Sequence, residues 1–275
     1  MLRRLVLPLA LIMIALVPAR AQGPDGLEPL LQALALPDLV AIMREEGLSY
    51  GDELEDEMFP GRGGDRWDAA VADIYDGGRM EEVLRGALAR ELADTDLTPL
   101  TEFFTSPDGA RIVSLELSAR RALLDPEVEK ASMQRLEEMQ ADGAPRLEMI
   151  EQFIAVNDLL ETNVAGALNA NYAFYTGLAD GRAFDFELTE QQMLSDVWGQ
   201  EPEIRTDTHD WLLSYLAMAY QPLSDDVLAR YIALSQTPEG QALNAALFVG
   251  FDVAFTGISR QLGLAAAQFI SGQDI

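Results

Sequence analysis

An all-α fold, made of two tandem helical bundles related by internal duplication, is what this sequence predicts, and three observations predict it. Apolar residues recur at spacings of three and four nearly everywhere, and no sustained two-residue alternation bounded by hairpin turns appears. One stretch reads as the same text written twice. Leu92-Ala93-Asp94 leads through Leu97, Leu100 and Phe103 to Ser106-Pro107-Asp108-Gly109, and 131 residues later come Leu223-Ser224-Asp225, Leu228, Tyr231, Leu234 and Thr237-Pro238-Glu239-Gly240. That offset is far longer than the roughly 20 to 50 residues of a solenoid repeat, so each copy is a domain-sized unit. Trp67 falls on Trp198 at the same offset, and at 130 Gly47 and Gly51 fall on Gly177 and Gly181.

Residues 1–21 read as a signal peptide. Arg3 and Arg4 precede an apolar run from Leu5 to Val17, and Ala19-Arg20-Ala21 supplies the small-x-small cleavage pattern. The run is shorter than the roughly 20 residues that span a bilayer, so cleavage, export to the periplasm and no stable membrane insertion afterwards are expected. The chain has no cysteine, which removes lipid attachment and disulfides and leaves the hydrophobic core to hold the fold. Residues 22–145 form the expected first helical repeat and 146–275 the second.

Within the first repeat, Pro37 divides the opening region into two shorter helices. Gly51 to Asp65, with Glu53, Glu55, Asp56 and Glu57 ahead of Pro60-Gly61-Arg62-Gly63-Gly64, reads as an exposed, disordered acidic loop. Met80, Val83, Leu84, Ala87, Leu88 and Leu92 share one helical face, and Leu97, Leu100, Phe103 and Phe104 mark a short helix. Past the Pro-Gly motif, Ile112, Leu115, Ala119 and Leu123 form a narrow stripe that places Arg111, Glu116, Arg120 and Arg121 on a wet side. A charged helix after Asp125-Pro126 ends at Asp142-Gly143-Ala144-Pro145.

The second repeat opens with a pattern running from Ile150 through Leu160 and Val164 to Tyr175 and stopping near Asp180-Gly181. As one helix it would be on the order of 50 Å long. Trp211, Leu212, Tyr215, Leu216, Ala219 and Leu223 then share a face, and Leu228, Tyr231, Ile232 and Leu234 form the short helix. Leu243 to Ile258 is apolar around most of its circumference, so burial is expected, with Leu264 to Ile270 as the internal cover and a homodimer interface as the other reading.

The repeated motif has a physical reading of its own. Ser106 and Thr237 suit an N-cap, Pro107 and Pro238 the first helical position, and Gly109 and Gly240 let the preceding helix cross closely. Asp108 and Glu239 favour the positive helix end and would repel an anion there. The pattern Leu-x-Asp-x-x-Leu, an aromatic pair, then Ser/Thr-Pro-Asp/Glu-Gly resembles a family of bacterial envelope proteins known as domain of unknown function number twenty fifty-nine. The resemblance covers about Met80 to Arg121 and again Trp211 to Asp252. It departs in the second copy, where Leu234-Ser235 stands for the aromatic pair and Ala242 for Arg111. It implies a helical, exported protein and no catalytic residues.

Charge and chemistry narrow the function classes. The chain carries 46 acidic and 19 basic residues, a net charge of -27, which repels nucleic acid and favours cationic partners. Zinc lacks ligands, with no cysteine and only His209, and neither Asp94-Thr95-Asp96 nor Asp73 to Asp76 has the spacing of a calcium loop. No Gly-x-Ser-x-Gly elbow accompanies His209, which reads as part of a helix start, and Lys130 lies in a charged surface segment. Asp252, between Phe251 and Val253, is the candidate buried acid; burial would demand a structural partner such as arginine or tyrosine, or else a raised pKa. Trp67 and Trp198 read as core packing. The expectation is a non-enzymatic binding or scaffolding module of the envelope, without cofactor or metal and with an envelope protein or a second copy as partner. The alternative is a hydrolase using Asp252 and a second carboxylate in a cleft between the repeats.

Overall fold

The computed structural model describes residues 26–184 and 189–271; the expected signal peptide lies outside them. Among the described residues there are thirteen helices and no strand. In order they are α1 (Leu27–Ala33), α2 (Leu36–Met58), α3 (Asp65–Ile74), α4 (Gly77–Glu91), α5 (Thr98–Thr105), α6 (Pro107–Ala122), α7 (Pro126–Ala141), α8 (Pro145–Val156), α9 (Leu159–Asp180), α10 (Glu190–Gly199), α11 (Glu201–Tyr220), α12 (Asp225–Ser235) and α13 (Pro238–Ile270). The all-α expectation holds.

The two corners repeat in their local geometry. Ser106 and Thr237 cap α6 and α13 from nearly the same extended backbone, with φ -67 and ψ 160 in the first and φ -73 and ψ 156 in the second. Each hydroxyl accepts from the glycine three residues on, over 3.1 Å at Gly109 and 3.0 Å at Gly240. Each also donates to the carbonyl three residues back, over 2.6 Å to Phe103 and 2.7 Å to Leu234. A Cβ at either glycine would lie 2.1 Å from that same carbonyl oxygen, so the incoming helix crosses against bare backbone. The corners also touch: Phe103 stacks on Tyr231 with centroids 5.7 Å apart, and Arg230 donates to Asp108 over 2.5 Å.

Side-by-side bundles are not what forms. One core joins α1 to α5, from Leu27 through Leu100 and Phe104, with Leu243, Ala246, Ile258, Leu262 and Ala266 of α13. The other joins Ile112, Ala119 and Leu136 of α6 and α7 with α8, α11 and α12. A boundary at 145/146 therefore cuts through both cores, and the halves interleave.

The long helix is α13, not the one expected over Ile150 to Tyr175. That stretch breaks at Asp158, which takes a left-handed φ of 50. Side chains of α13 satisfy the carbonyls freed by the break, Gln241 donating to Val156 over 2.8 Å and Asn244 to Asn157 over 2.6 Å. The 33 residues of α13 run on through Gly257 and Gly263 for about 50 Å. By length and composition it is, among the described residues, the one helix able to cross a bilayer. Here its inner face packs on α4, where Gly250 meets Leu84, and on α9 backbone to backbone: a Cβ at Gly263 would lie 2.1 Å from the Phe174 oxygen, and one at Gly177 would lie 2.2 Å from the Arg260 oxygen.

That packing explains why Trp198 departs from expectation. On α2, Gly47 and Gly51 receive Tyr75 and Val71 at the α3 end of the first repeat, and Trp67 buries completely, its indole donating to the Gly51 carbonyl over 2.8 Å. The matching glycines of α9 receive α13 instead, so α10 has no such groove to enter and Trp198 is 64% exposed. Gly51 to Met58 is also helical, continuing α2, and only the turn to Gly64 is irregular. Glu55 holds that turn by accepting from the Gly63 and Gly64 amides. Leu264 to Ile270 continues α13 and does not fold back over it, leaving Val249 and Val253 exposed.

Candidate functional site

A chamber of about 270 Å³ lies between the two corners, walled by α1, α2, α4, α5, α6, α8, α9, α11, α12 and α13. Its wall has a regularity that the sequence foreshadows. Glu116 and Leu247, Arg120 and Phe251, Val113 and Asn244, and Leu100 and Tyr231 all line it, and the members of each pair stand 131 residues apart. In these four pairs one member is polar and the other apolar, while Leu117 and Phe248, at the same offset, are both apolar.

Glu116 is the chemical centre. It sits deep in the protein on α6 and keeps accessible surface because it faces the void. The Tyr220 hydroxyl donates to its Oε1 over 2.7 Å, and the Tyr231 hydroxyl bonds to the same carboxylate. The Tyr215 hydroxyl donates to its backbone carbonyl over 3.2 Å. Burial pushes the Glu116 carboxyl up to about 7 and outweighs the two tyrosine hydrogen bonds, which pull it down. Burial and the adjoining carboxylate hold the Tyr215, Tyr220 and Tyr231 phenols protonated, well above their usual range. One turn on, Arg120 is neutralised by a bidentate pair with Glu46 of α2, at 2.6 and 2.8 Å. Sequence reasoning set Glu116 and Arg120 on a wet face; the structure turns both inward. The signal was present, because Glu116 stands four residues after Ile112 and three before Ala119, on the apolar stripe itself.

The chamber shares Arg120, Leu159, Tyr215, Leu216, Phe248 and Phe251 with an outer groove of about 660 Å³ between α9, α11 and α13. Asp252 lies on this groove and is partly exposed; its partner is Asn169, which donates to it over 2.8 Å. It is therefore not the buried acid expected, because the outer face of α13 meets solvent where an internal cover was expected. Among the described residues, Asp252 is the one acid on the groove and Glu116 the one acid on the chamber. Ser106, Pro107, Thr237 and Pro238 serve the corners, and of the repeated motif Gly240 alone reaches the chamber wall.

The other sequence candidates lie elsewhere. His209 is in the interior of α11, which starts at Glu201, and its ring pairs with Asp210 over 3.3 Å. Lys130 is exposed on α7. Among the described residues no group of three or more histidine, cysteine or acidic side chains is placed to hold a metal ion.

Fold and chamber together define an all-helical protein with an amphipathic pocket between its helices. Residues 78–141 match the model of a bacterial family described as "Uncharacterized protein conserved in bacteria (DUF2059)". The match spans α4 to α7 and includes the first corner, Glu116 and Arg120; the second corner lies outside it. Neither a curated protein nor a solved structure matches the chain.

Proposed function

We propose that this protein is a non-enzymatic binding module of the bacterial periplasm or cell envelope, and that its ligand occupies the chamber between the two corners. The observation that carries this reading is the chamber itself: largely apolar walls with a few convergent polar groups around a carboxyl of perturbed pKa. Export is supported by the basic, apolar and small-x-small succession over residues 1–21. The duplication of a helical unit is supported by the 131-residue echo and by the matched caps of α6 and α13.

The two-carboxylate alternative would have to draw its acids from separate places, Asp252 from the outer groove and Glu116 from the chamber. Native mass spectrometry on protein recovered from the periplasm tests the binding reading. A co-purified small molecule is expected, and Leu247→Trp, which fills the chamber from α13, is expected to release it. Recovery in the cytosol with an uncleaved amino terminus would refute export. A bare mass, together with no uptake of an apolar fluorescent probe, would refute the chamber as a binding site.

A further inference from the structure

The polar part of the chamber wall is rich in hydrogen-bond acceptors. The Tyr220 and Tyr231 hydroxyls are committed to the Glu116 carboxylate and that of Tyr215 to the Glu116 backbone carbonyl, and the charge of Arg120 is cancelled by Glu46. The amide nitrogen of Asn157 donates to Phe153 and that of Asn244 to Asn157. Neither Asn157 nor Asn244 has a hydrogen bond at its side-chain oxygen among the described contacts. No buried side-chain nitrogen or oxygen among the described residues lacks a partner, so these two oxygens reach accessible space. Besides one remaining amide hydrogen on each asparagine, the wall offers an occupant acceptors: the Glu116 carboxylate and the Asn157 and Asn244 oxygens. A carboxylate has about four acceptor sites, so two tyrosines leave room for a third donor.

We propose that the chamber binds a cationic amphiphile, an alkyl amine whose ammonium group is held by Glu116 and whose apolar body lies along Leu100, Phe104, Leu243 and Leu247. The inference rests on the chamber being a binding site and names the class of its ligand. An ammonium supplies donors and a charge opposite to the one uncompensated acid on the wall, whereas a fatty acid would bring a second carboxylate beside Glu116. The void has room for roughly nine water- or methylene-sized groups, and a longer chain continues into the groove past Phe248 and Phe251. The net charge of -27 raises the local concentration of cations around the chain.

Calorimetry with decylammonium, decanol and decanoate, each below its micelle concentration, tests the class. The groups facing Glu116 are Tyr215 and Tyr220 from α11, Tyr231 from α12, and Arg120 of its own helix with Glu46 from α2. The three phenols stay protonated and the Arg120 guanidinium stays charged between pH 6 and 8, so pH acts through Glu116. Decylammonium is expected to bind at least tenfold tighter than decanol and decanoate at pH 8, and about tenfold tighter at pH 8 than at pH 6 as Glu116 ionises near 7. Glu116→Gln should remove both the preference and the pH dependence while decanol still binds. If that variant does not fold, the pH dependence in the native chain carries the same test. Decanol or decanoate binding as tightly as the amine, or an amine affinity indifferent to pH, would overturn the class and leave the chamber a binding site. Binding of none of the three would overturn both.

Discussion

Tyr220 and Glu116 join distant parts of the chain, the phenol of α11 donating to the carboxylate of α6 over 2.7 Å. Tyr220 is fully buried, and Glu116 lines the chamber. The contact is therefore at once a joint between the halves and the polar end of the candidate site.

Glu116 makes stability fall with rising pH. Its carboxyl titrates near 4.5 in an unfolded chain and near 7 when folded, so between those values the folded state binds more protons than the unfolded one. The stabilisation relative to the charged form is fully present below about 4.5 and is lost by about 7, up to roughly 3 kcal/mol. Urea denaturation across that window should show the native chain losing stability relative to Glu116→Gln. Parallel curves for the two proteins would contradict the raised pKa.

Removing the Tyr220 hydroxyl takes a donor from the ionised form. Tyr220→Phe should cost about 1.5 to 3 kcal/mol at pH 8, where the carboxylate is charged, and about 1 kcal/mol at pH 5, where it is neutral. The two-pH difference is the diagnostic quantity. An equal loss at both pH values would mean that only packing around the ring had changed.

The corners and chamber show what the text of the chain made legible and what it did not. Ser106 and Thr237 act through their own neighbours, so cap, proline and glycine are readable locally, and both sites form as expected. Glu116, Trp198 and the length of α13 depend on partners far along the chain. Whether Glu116 faces water depends on Tyr220 and Tyr231, and whether Trp198 buries depends on which helix fills the Gly177 groove. The break at Asp158 was hidden for the same reason, since Gln241 and Asn244 supply the caps from α13.

The glycines of the two corners should respond alike, and unlike a glycine in open space. Gly109→Ala and Gly240→Ala each drive a methyl to 2.1 Å from a carbonyl oxygen, which only a backbone shift can relieve. Each is expected to cost about 2 to 4 kcal/mol. Gly257→Ala, with nothing within 4 Å of the added carbon in the interior of α13, should stabilise by about 1 kcal/mol. Thermal melts of the three variants check the ordering, and a neutral Gly109→Ala would count against the close crossing.

The interleaved cores predict that the two halves will not fold apart. A fragment ending at residue 145 keeps Leu84, Leu88 and Leu100 but loses Leu243, Ala246 and Leu262, which complete that core from α13. It also keeps Ile112 and Leu136 without Leu213, Leu216 and Tyr220, their cover from α11. The complementary fragment loses α4, against which Gly250 packs, and the Glu116 acceptor of Tyr220. A domain needs its own closed core to unfold cooperatively, and neither fragment has one. Each alone should therefore melt without a sharp transition, and mixing them at equal concentration should restore it in a concentration-dependent manner. A sharp, independent melt of either fragment would restore the picture of two separate bundles and would detach the chamber from the fold's integrity. Recovery on mixing would tie them together, because Glu116 on one fragment and Tyr220 and Tyr231 on the other form the site only when the halves join.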